Sequence, residues 1–221
     1  MKLAIFDVDG TISDSQNHIT HAMTLGFEAA GVPAPPASSV LQIVGLSLPL
    51  AVARLAPELD EDTQARIVEG YKQSYMSQRA ASPAPLYPGA EDLLRKLAAR
   101  DDMLLAVATG KSRRGLRALI EHHGLEGLFI SQQTADDHPS KPHPSMIGAA
   151  LADAGVSAVD AVMIGDTSFD IEMGRSAGVA TIGVRWGYHP PAELEAAGAH
   201  HMVNDFEALE AALLDLWEMS A

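Results

Sequence analysis

Between residues 89 and 184 the chain switches between helical and strand character at short, even intervals, and this alternation constrains the fold more than any other feature. Apolar residues recur at helical spacing over 89–99, 113–123, 145–154 and 169–177. Between them lie short apolar runs suited to buried strands, at 103–108, 128–131, 161–165 and 180–184. Strands joined by helices pair in parallel, because the helix carries the chain back to the starting edge, and the helices then cover both faces of the sheet. The expected fold class is α/β, with a Rossmann-like parallel sheet.

One more apolar run, residues 3–6 (LAIF), stands far from the others at the N-terminus. A lone strand is not stable by itself, so it belongs to the same sheet. Residues 15–80 hold no convincing strand. His18, Ile19, Ala22, Met23 and Phe27 repeat at helical spacing toward a stop near Gly31, and the proline- and alanine-rich stretch 32–39 reads as a loop. Further helices are expected over 46–55 and 60–78, the second opened by Asp60, Glu61 and Asp62, acids suited to a helix N-terminus. Residues 80–88 (AASPAPLYP) carry three prolines in nine positions and read as a linker. The expected division is a core domain of residues 1–14 and 81–221 with an inserted all-helical domain of residues 15–80.

The first strand stops abruptly in Asp7 and Asp9, followed by Gly10 and Thr11. Two carboxylates so close destabilise each other unless a positive charge lies between them. Oxygen ligands without cysteine or histidine nearby favour a hard cation such as Mg2+. Ligands of open parallel sheets bind beyond the carboxyl ends of the strands, so the polar residues just past each strand are candidates for a single site. These are Asp7, Asp9 and Thr11; Thr109, Gly110 and Lys111; Asp166, with Asp170 one helical turn further on; and Lys141, in the loop after 128–131. In outline this is a metal-dependent phosphoryl site, in which acids hold the ion while the Thr109 hydroxyl, backbone N–H groups and Lys141 hold phosphate oxygens. Taken singly, each has a plainer reading: turn aspartates for Asp7 and Asp9, a helix cap for Thr109 and Gly110, a solvated loop lysine for Lys141, and acids complementing a helix dipole for Asp166 and Asp170. Asp136, Asp137, His138 and His143 read as loop surface; the alternatives are support of the metal through water for the acids and an orienting role beside Lys141 for the two histidines.

In chain order, DVDGT at 7–11, Thr109 with its preceding strand, Lys141, and GDTSFD at 165–170 resemble the four motifs of the haloacid dehalogenase superfamily. The helical segment directly after the first motif resembles the C1-type cap of the phosphoglycolate phosphatase-like branch, as do YPGAEDLLRKL at 87–97 and RWGYHPPAELEAAGA at 185–199. The resemblance implies a Mg2+-dependent phosphoric monoester hydrolase. Asp7 would be the nucleophile that forms an aspartyl-phosphate, and Asp9 the general acid and then the general base. It also implies metal ligation by Asp7, Asp166 and the peptide carbonyl of Asp9, with Asp170 a further ligand or a partner behind the ligands. Thr109, the Gly110 N–H and Lys141 would bind the transferring phosphate.

Dehalogenases of this superfamily lack the second aspartate, so Asp9 points to phosphoryl transfer. Phosphonate-cleaving members use a cap lysine, and the one here, Lys72, reads as surface. Related mutases carry basic residues around a cap Gly-x-Ser loop, whereas Gly45-Leu46-Ser47 has apolar neighbours. Phosphoglycolate is the leading substrate; pyrophosphatase, nucleotidase, sugar-phosphatase and sugar-phosphomutase activities are the alternatives on the same scaffold. Specificity is expected from the cap, through Asp14, Ser15, Gly45, Leu46 and Ser47, with Trp186 and Tyr188 as further candidates to line the pocket. The few basic cap residues (Arg54, Arg66, Lys72, Arg79) speak against a highly charged leaving group.

Composition bounds the partners. The formal net charge of −14 leaves no basic footprint for nucleic acid or an anionic membrane surface. The absence of cysteine excludes disulfides, thiolate zinc sites and a thiol nucleophile. The most apolar stretch, 44–56, is interrupted by Pro49 and Arg54, and Lys2 leads straight into a strand rather than a signal peptide. A cytoplasmic enzyme acting on a small-molecule phosphate ester is expected. Phe206, Leu209, Leu213, Leu214 and Leu216 form an amphipathic pattern that packs on the core without needing a partner, which leaves monomer and homodimer both open.

Overall fold

The computed structural model describes residues 1–218. Six strands, β1 (Lys2–Phe6), β2 (Met103–Thr109), β3 (Phe129–Thr134), β4 (Ala161–Gly165), β5 (Ala180–Val184) and β6 (His201–Val203), form one parallel sheet in the order β3-β2-β1-β4-β5-β6. The helices are α1 (Gln16–Ala29), α2 (Ala37–Leu41), α3 (Leu48–Leu55), α4 (Glu61–Ala81), α5 (Ala90–Ala98), α6 (Arg113–His122), α7 (Ser145–Ala154), α8 (Ser168–Ser176), α9 (Pro191–Ala196) and α10 (Phe206–Glu218).

Strand β1 lies inside the sheet, paired with β2 on one side and β4 on the other. Both of its faces are covered, which is why it reads as an unbroken apolar run rather than an alternating one. Ala4 and Phe6 pack with Leu94 and Leu97 of α5, Leu116 of α6, and Leu209 and Leu213 of α10. Leu3 and Ile5 face the other way, onto Met146 and Ile147 of α7 and Met173 of α8. Each fully buried side chain of this size contributes roughly 1.5–3 kcal/mol, so the two-sided core anchors β1 and whatever follows it.

The structure departs from the sequence expectations mainly at the sheet edges. Strand β3 covers 129–134 rather than 128–131: its polar half, Ser131 to Thr134, is held by the backbone ladder to Ala106–Thr109 of β2, which needs no apolar side chains. The short β6 follows α9 and adds a sixth strand beside β5, in a segment with no strand-like apolar run. Helix α2 occupies part of the expected 32–39 loop, starting directly after Pro36. Helix α4 runs to Ala81, ending one residue before Ser82, whose extended backbone suits a residue preceding proline. Its N-terminus is capped by Asp60, which accepts from the Thr63 N–H at 2.8 Å.

Helices α1 to α4 build a second core of their own from Ile19, Met23, Phe27, Val52 and Ile67. Helices α1 and α4 meet at Gly26 and Gly70. A side-chain carbon on Gly26 would lie 2.8 Å from the Ile67 carbonyl oxygen, so the helix backbones approach too closely for any larger residue. This helical unit stands over the carboxyl ends of the strands. Among the described residues, no helix is long and apolar enough to cross a membrane.

Candidate active site

The close packing of β1 against β4 brings two strand-end acids together. The Asp7 N–H donates to the Ile164 carbonyl at 2.9 Å, so the chain leaves β1 still tied to β4, next to Asp166. Asp166 accepts at Oδ1 from the Thr11 hydroxyl (2.9 Å) and at Oδ2 from the Tyr188 N–H (2.9 Å). Lys141 enters from the loop between β3 and α7. Its Nζ donates to Asp7 Oδ1 and to Asp170 Oδ1, both at 2.6 Å, in full burial. Asp170 Oδ2 accepts from the Thr167 N–H (3.0 Å) and hydroxyl (2.7 Å), capping α8. Asp170 is therefore a helix-capping acid and a member of the cluster at once.

Carboxylate oxygens of Asp7, Asp166 and Asp170 lie within 4.8 Å of one another, all three side chains buried. Three acids balanced by one ammonium leave excess negative charge in a low dielectric. Burial pushes the Asp7 carboxyl up; Lys141 pulls it back, Asp170 adds to the rise, and it stands at about 7. Burial, then Asp170 and Asp7, raise Asp166 well above the usual carboxylate range. Burial depresses the Lys141 ammonium, but Asp170 and Asp7 more than reverse this and hold it above its ordinary value. An all-oxygen, anionic donor set of this kind fits a hard divalent cation.

The Asp9 carboxylate lies outside that cluster. Its Oδ1 accepts from Ser15 Oγ at 2.6 Å and pairs with Lys111 Nζ at 2.8 Å. Lys111 also donates to the Tyr75 hydroxyl of α4 at 3.0 Å. Although burial lowers a lysine, Asp9 and Tyr75 beside it hold Lys111 above its ordinary range. The strand-end position of Lys111, directly after Thr109-Gly110, marks it as a site candidate in the sequence but gives it no role; the structure supplies one, as the partner of Asp9. Thr109 is buried, and its hydroxyl accepts from the Lys111 N–H at 3.2 Å.

A cavity of about 570 Å3 separates the strand ends from the helical unit. Asp7, Asp9, Thr109 and Gly110 line it from the sheet side, and Gly45, Leu46 and Ser47 from the helical side. The two sides touch at Gly110: a side-chain carbon there would lie 2.4 Å from the Gly45 carbonyl oxygen and 2.8 Å from that of Leu46. The Ser47 N–H donates to Ser140 Oγ at 2.8 Å, and His189 Nε2 bonds the Gln42 carbonyl at 3.1 Å. The Ser168 N–H points at His189 Nδ1, so the Nε2 carries the proton. Arg54 lies over the Phe169 ring at 5.4 Å.

Four expected pocket residues fall elsewhere. Asp14 and Ser15 do not line the cavity: Ser15 is turned onto Asp9, and Asp14 Oδ1 is buried without a hydrogen-bond partner. Trp186 packs against Tyr87 and Phe206 and donates to the Thr11 carbonyl, while the Tyr188 hydroxyl meets Ser15. Both aromatics brace the Asp7–Ser15 segment from behind. Of the four basic residues of the helical unit, Lys72 and Arg79 line the cavity, together with Lys111 and Arg114 from the sheet side. His138 bonds Gln133 and Ser145, and the Ser145 N–H bonds His143 Nδ1, so neither histidine orients Lys141.

A family model described as haloacid dehalogenase-like hydrolase matches residues 4–184. The chain belongs to this family and is a phosphoric monoester hydrolase. It is 32% identical to "Probable phosphatase IndB" of Dickeya dadantii, over 99% of this chain and 96% of that protein. It is 33% identical to the phosphoglycolate phosphatase of Rhodospirillum rubrum, over 94% and 89% of the two chains. The crystal structure of a hydrolase from Pseudomonas syringae superposes with a TM-score of 0.86 at 25% identity, covering 97% of this chain and 99% of that one.

Proposed function

We propose that this chain is a Mg2+-dependent phosphatase that hydrolyses a small phosphate monoester through an aspartyl-phosphate on Asp7. The observation that carries the reading is the position of Asp7: its carboxylate borders the cavity on one side and is held by Lys141, beside Asp166 and Asp170, on the other. An ionised carboxylate needs no base to attack phosphorus. As the Asp7 oxygen bonds to phosphorus, the bond to the leaving oxygen breaks, and Asp9 gives that oxygen its proton. Asp9 then takes a proton from water, whose oxygen attacks the phosphorus and frees Asp7 and inorganic phosphate. Thr109, the Gly110 N–H and the Lys141 ammonium offset charge on the phosphoryl oxygens. Asp7, Asp166 and the Asp9 carbonyl would hold Mg2+, with Asp170 as a further ligand or supporting acid; when bound, the ion offsets repulsion between the phosphate and the acids.

In this reading residues 15–80 act as a cap that excludes bulk water from the reacting groups. A small leaving group with its own anionic charge suits a cavity lined by Lys72, Arg79 and Arg114, and several relatives are named phosphoglycolate phosphatase. Phosphoglycolate is the first substrate to test. In a panel of phosphate esters and pyrophosphate compared by kcat/KM, phosphoglycolate is expected to lead, with activity lost in EDTA and restored by Mg2+. Asp7→Asn is expected to release no phosphate above background. Ordinary turnover by that variant would remove the aspartyl-phosphate from consideration.

A further inference from the structure

Lys111 has no part in the reaction as written above, yet it occupies a position no surface lysine would take. Its side chain is only 8% exposed and is held from two directions. On the sheet side it pairs with Asp9 Oδ1 at 2.8 Å; on the helical side it donates to the Tyr75 hydroxyl at 3.0 Å and lies 4.9 Å from the Tyr75 ring centre. Tyr75 is itself stacked on Tyr71, one turn earlier on α4. Ser15 donates to the same Asp9 oxygen at 2.6 Å. Two donors on Oδ1 fix the plane of the carboxyl group and leave Oδ2 as the oxygen free to carry a proton.

We infer that Lys111 is a positioning residue that orients Asp9 for proton transfer and, through Tyr75, makes that orientation depend on the docked helical unit. The inference rests on the reading of Asp9 as general acid and base. A carboxyl group that rotates freely delivers its proton in few of its orientations; one held by an ion pair and a hydroxyl delivers it in one. Because one anchor of the lysine is on α4, undocking of that helix removes a restraint on Asp9. Proton transfer is thereby tied to the state in which bulk water is excluded.

Two substrates separate positioning from binding. From phosphoglycolate the leaving group is glycolate, whose alkoxide oxygen needs a proton, whereas p-nitrophenyl phosphate releases p-nitrophenolate, a stable phenolate that does not. Lys111→Met is expected to lower the rate of phosphoglycolate cleavage in a single turnover by roughly 10- to 100-fold, a part of the about 100- to 10,000-fold that general acid–base catalysis supplies. KM should change little, and p-nitrophenolate release in a single turnover should fall far less. With p-nitrophenyl phosphate in excess, the acid-quenched protein should accumulate covalent phosphate, because the water step also uses Asp9. Tyr75→Phe, which keeps the ring and removes the hydroxyl, should shift the same ratio of rates in the same direction by a few-fold. Lys111→Arg should restore part of it.

A rise in KM for phosphoglycolate with an unchanged cleavage rate would make Lys111 a substrate ligand and overturn the inference. So would equal losses with both leaving groups. Asp9→Asn serves as the reference. If it shows the leaving-group dependence and Lys111→Met and Tyr75→Phe do not, the role of Lys111 fails alone. If Asp9→Asn does not show it, the acid–base reading of Asp9 fails as well.

Discussion

Lys141 Nζ donates to Asp7 Oδ1 at 2.6 Å across 134 residues of chain, and both side chains are sealed from solvent. The pair is the electrostatic hinge of the site. The lysine also holds Asp170, so its removal would leave three buried carboxyl groups facing one another without a fixed cation. Breaking a buried charge pair by removing one partner costs about 3–5 kcal/mol. Lys141→Met is expected to lose stability on this scale in urea unfolding with EDTA present, and to recover part of it in excess Mg2+. An unchanged unfolding midpoint in EDTA would mean that the lysine does not balance the acids.

The same crowding gives the metal-free protein a pH dependence of definite sign. Asp7 stands at about 7 in the folded chain, against 3.8 for a free aspartate, and Asp166 is raised in the same direction. Between about pH 4 and pH 7 the folded state therefore binds more protons at these groups than the unfolded state, and their contribution to stability falls as pH rises. Unfolding midpoints measured in EDTA are expected to show this loss. Asp7→Asn should flatten the slope, and Mg2+ should reduce it by favouring the ionised carboxylates. A slope of opposite sign that survives in the other acids but is unaffected by Asp7→Asn would count against the assignment.

Gly110 is where the sheet and the helical unit come nearest. Gly110→Ala would set a methyl group against the Gly45 and Leu46 carbonyl oxygens, at 2.4 and 2.8 Å. Backbone atoms yield little, so the Gly45–Ser47 loop must lift. Activity on a small ester is expected to fall by at least about ten-fold, since small displacements of reacting groups have large effects on rate. The thermal unfolding temperature should fall as well, because lifting the loop draws Leu46 out of its buried contact with Ala51 and Phe169.

Ser140 couples the loop carrying Lys141 to the start of α3 through the Ser47 N–H. This bond exists only while the helical unit sits on the sheet. Ser140→Ala removes one hydrogen bond of about 1 kcal/mol, which corresponds to roughly a five-fold increase in KM if docking accompanies substrate binding. Steady-state kinetics provides the check. The other contacts across the gap, His189 with Gln42 and Arg54 with Phe169, remain to limit the effect.

The sequence was most legible where burial is two-sided. Strands β1, β2, β4 and β5 are apolar along their length because both faces are covered, and each was visible as a short apolar run. Edge strands β3 and β6 were misjudged or missed because their pairing is a backbone matter that polar side chains such as Gln132 and Gln133 do not announce. The acids and Lys141 were legible as candidates because parallel strands all deliver their ends to one edge. Lys111, Ser15 and Tyr188 were visible as candidates but not as the partners of Asp9 and Asp166, since what they do depends on which side chains meet after α4 and the 185–189 segment have docked.

By itself, then, the sequence determined the parallel α/β sheet and the set of charged residues gathered at its carboxyl edge. Both follow from local periodicity and from the rule that parallel strands share one direction. The tertiary structure alone decided how that charge is shared: Lys141 with Asp7 and Asp170, Lys111 with Asp9, and Thr11 and the Tyr188 N–H with Asp166. It also decided that Lys72 and Arg79 line the cavity while Trp186 stays behind it. Such pairings join residues far apart in the chain, and they form at distances of a few ångströms that only the packing of whole helices and strands fixes.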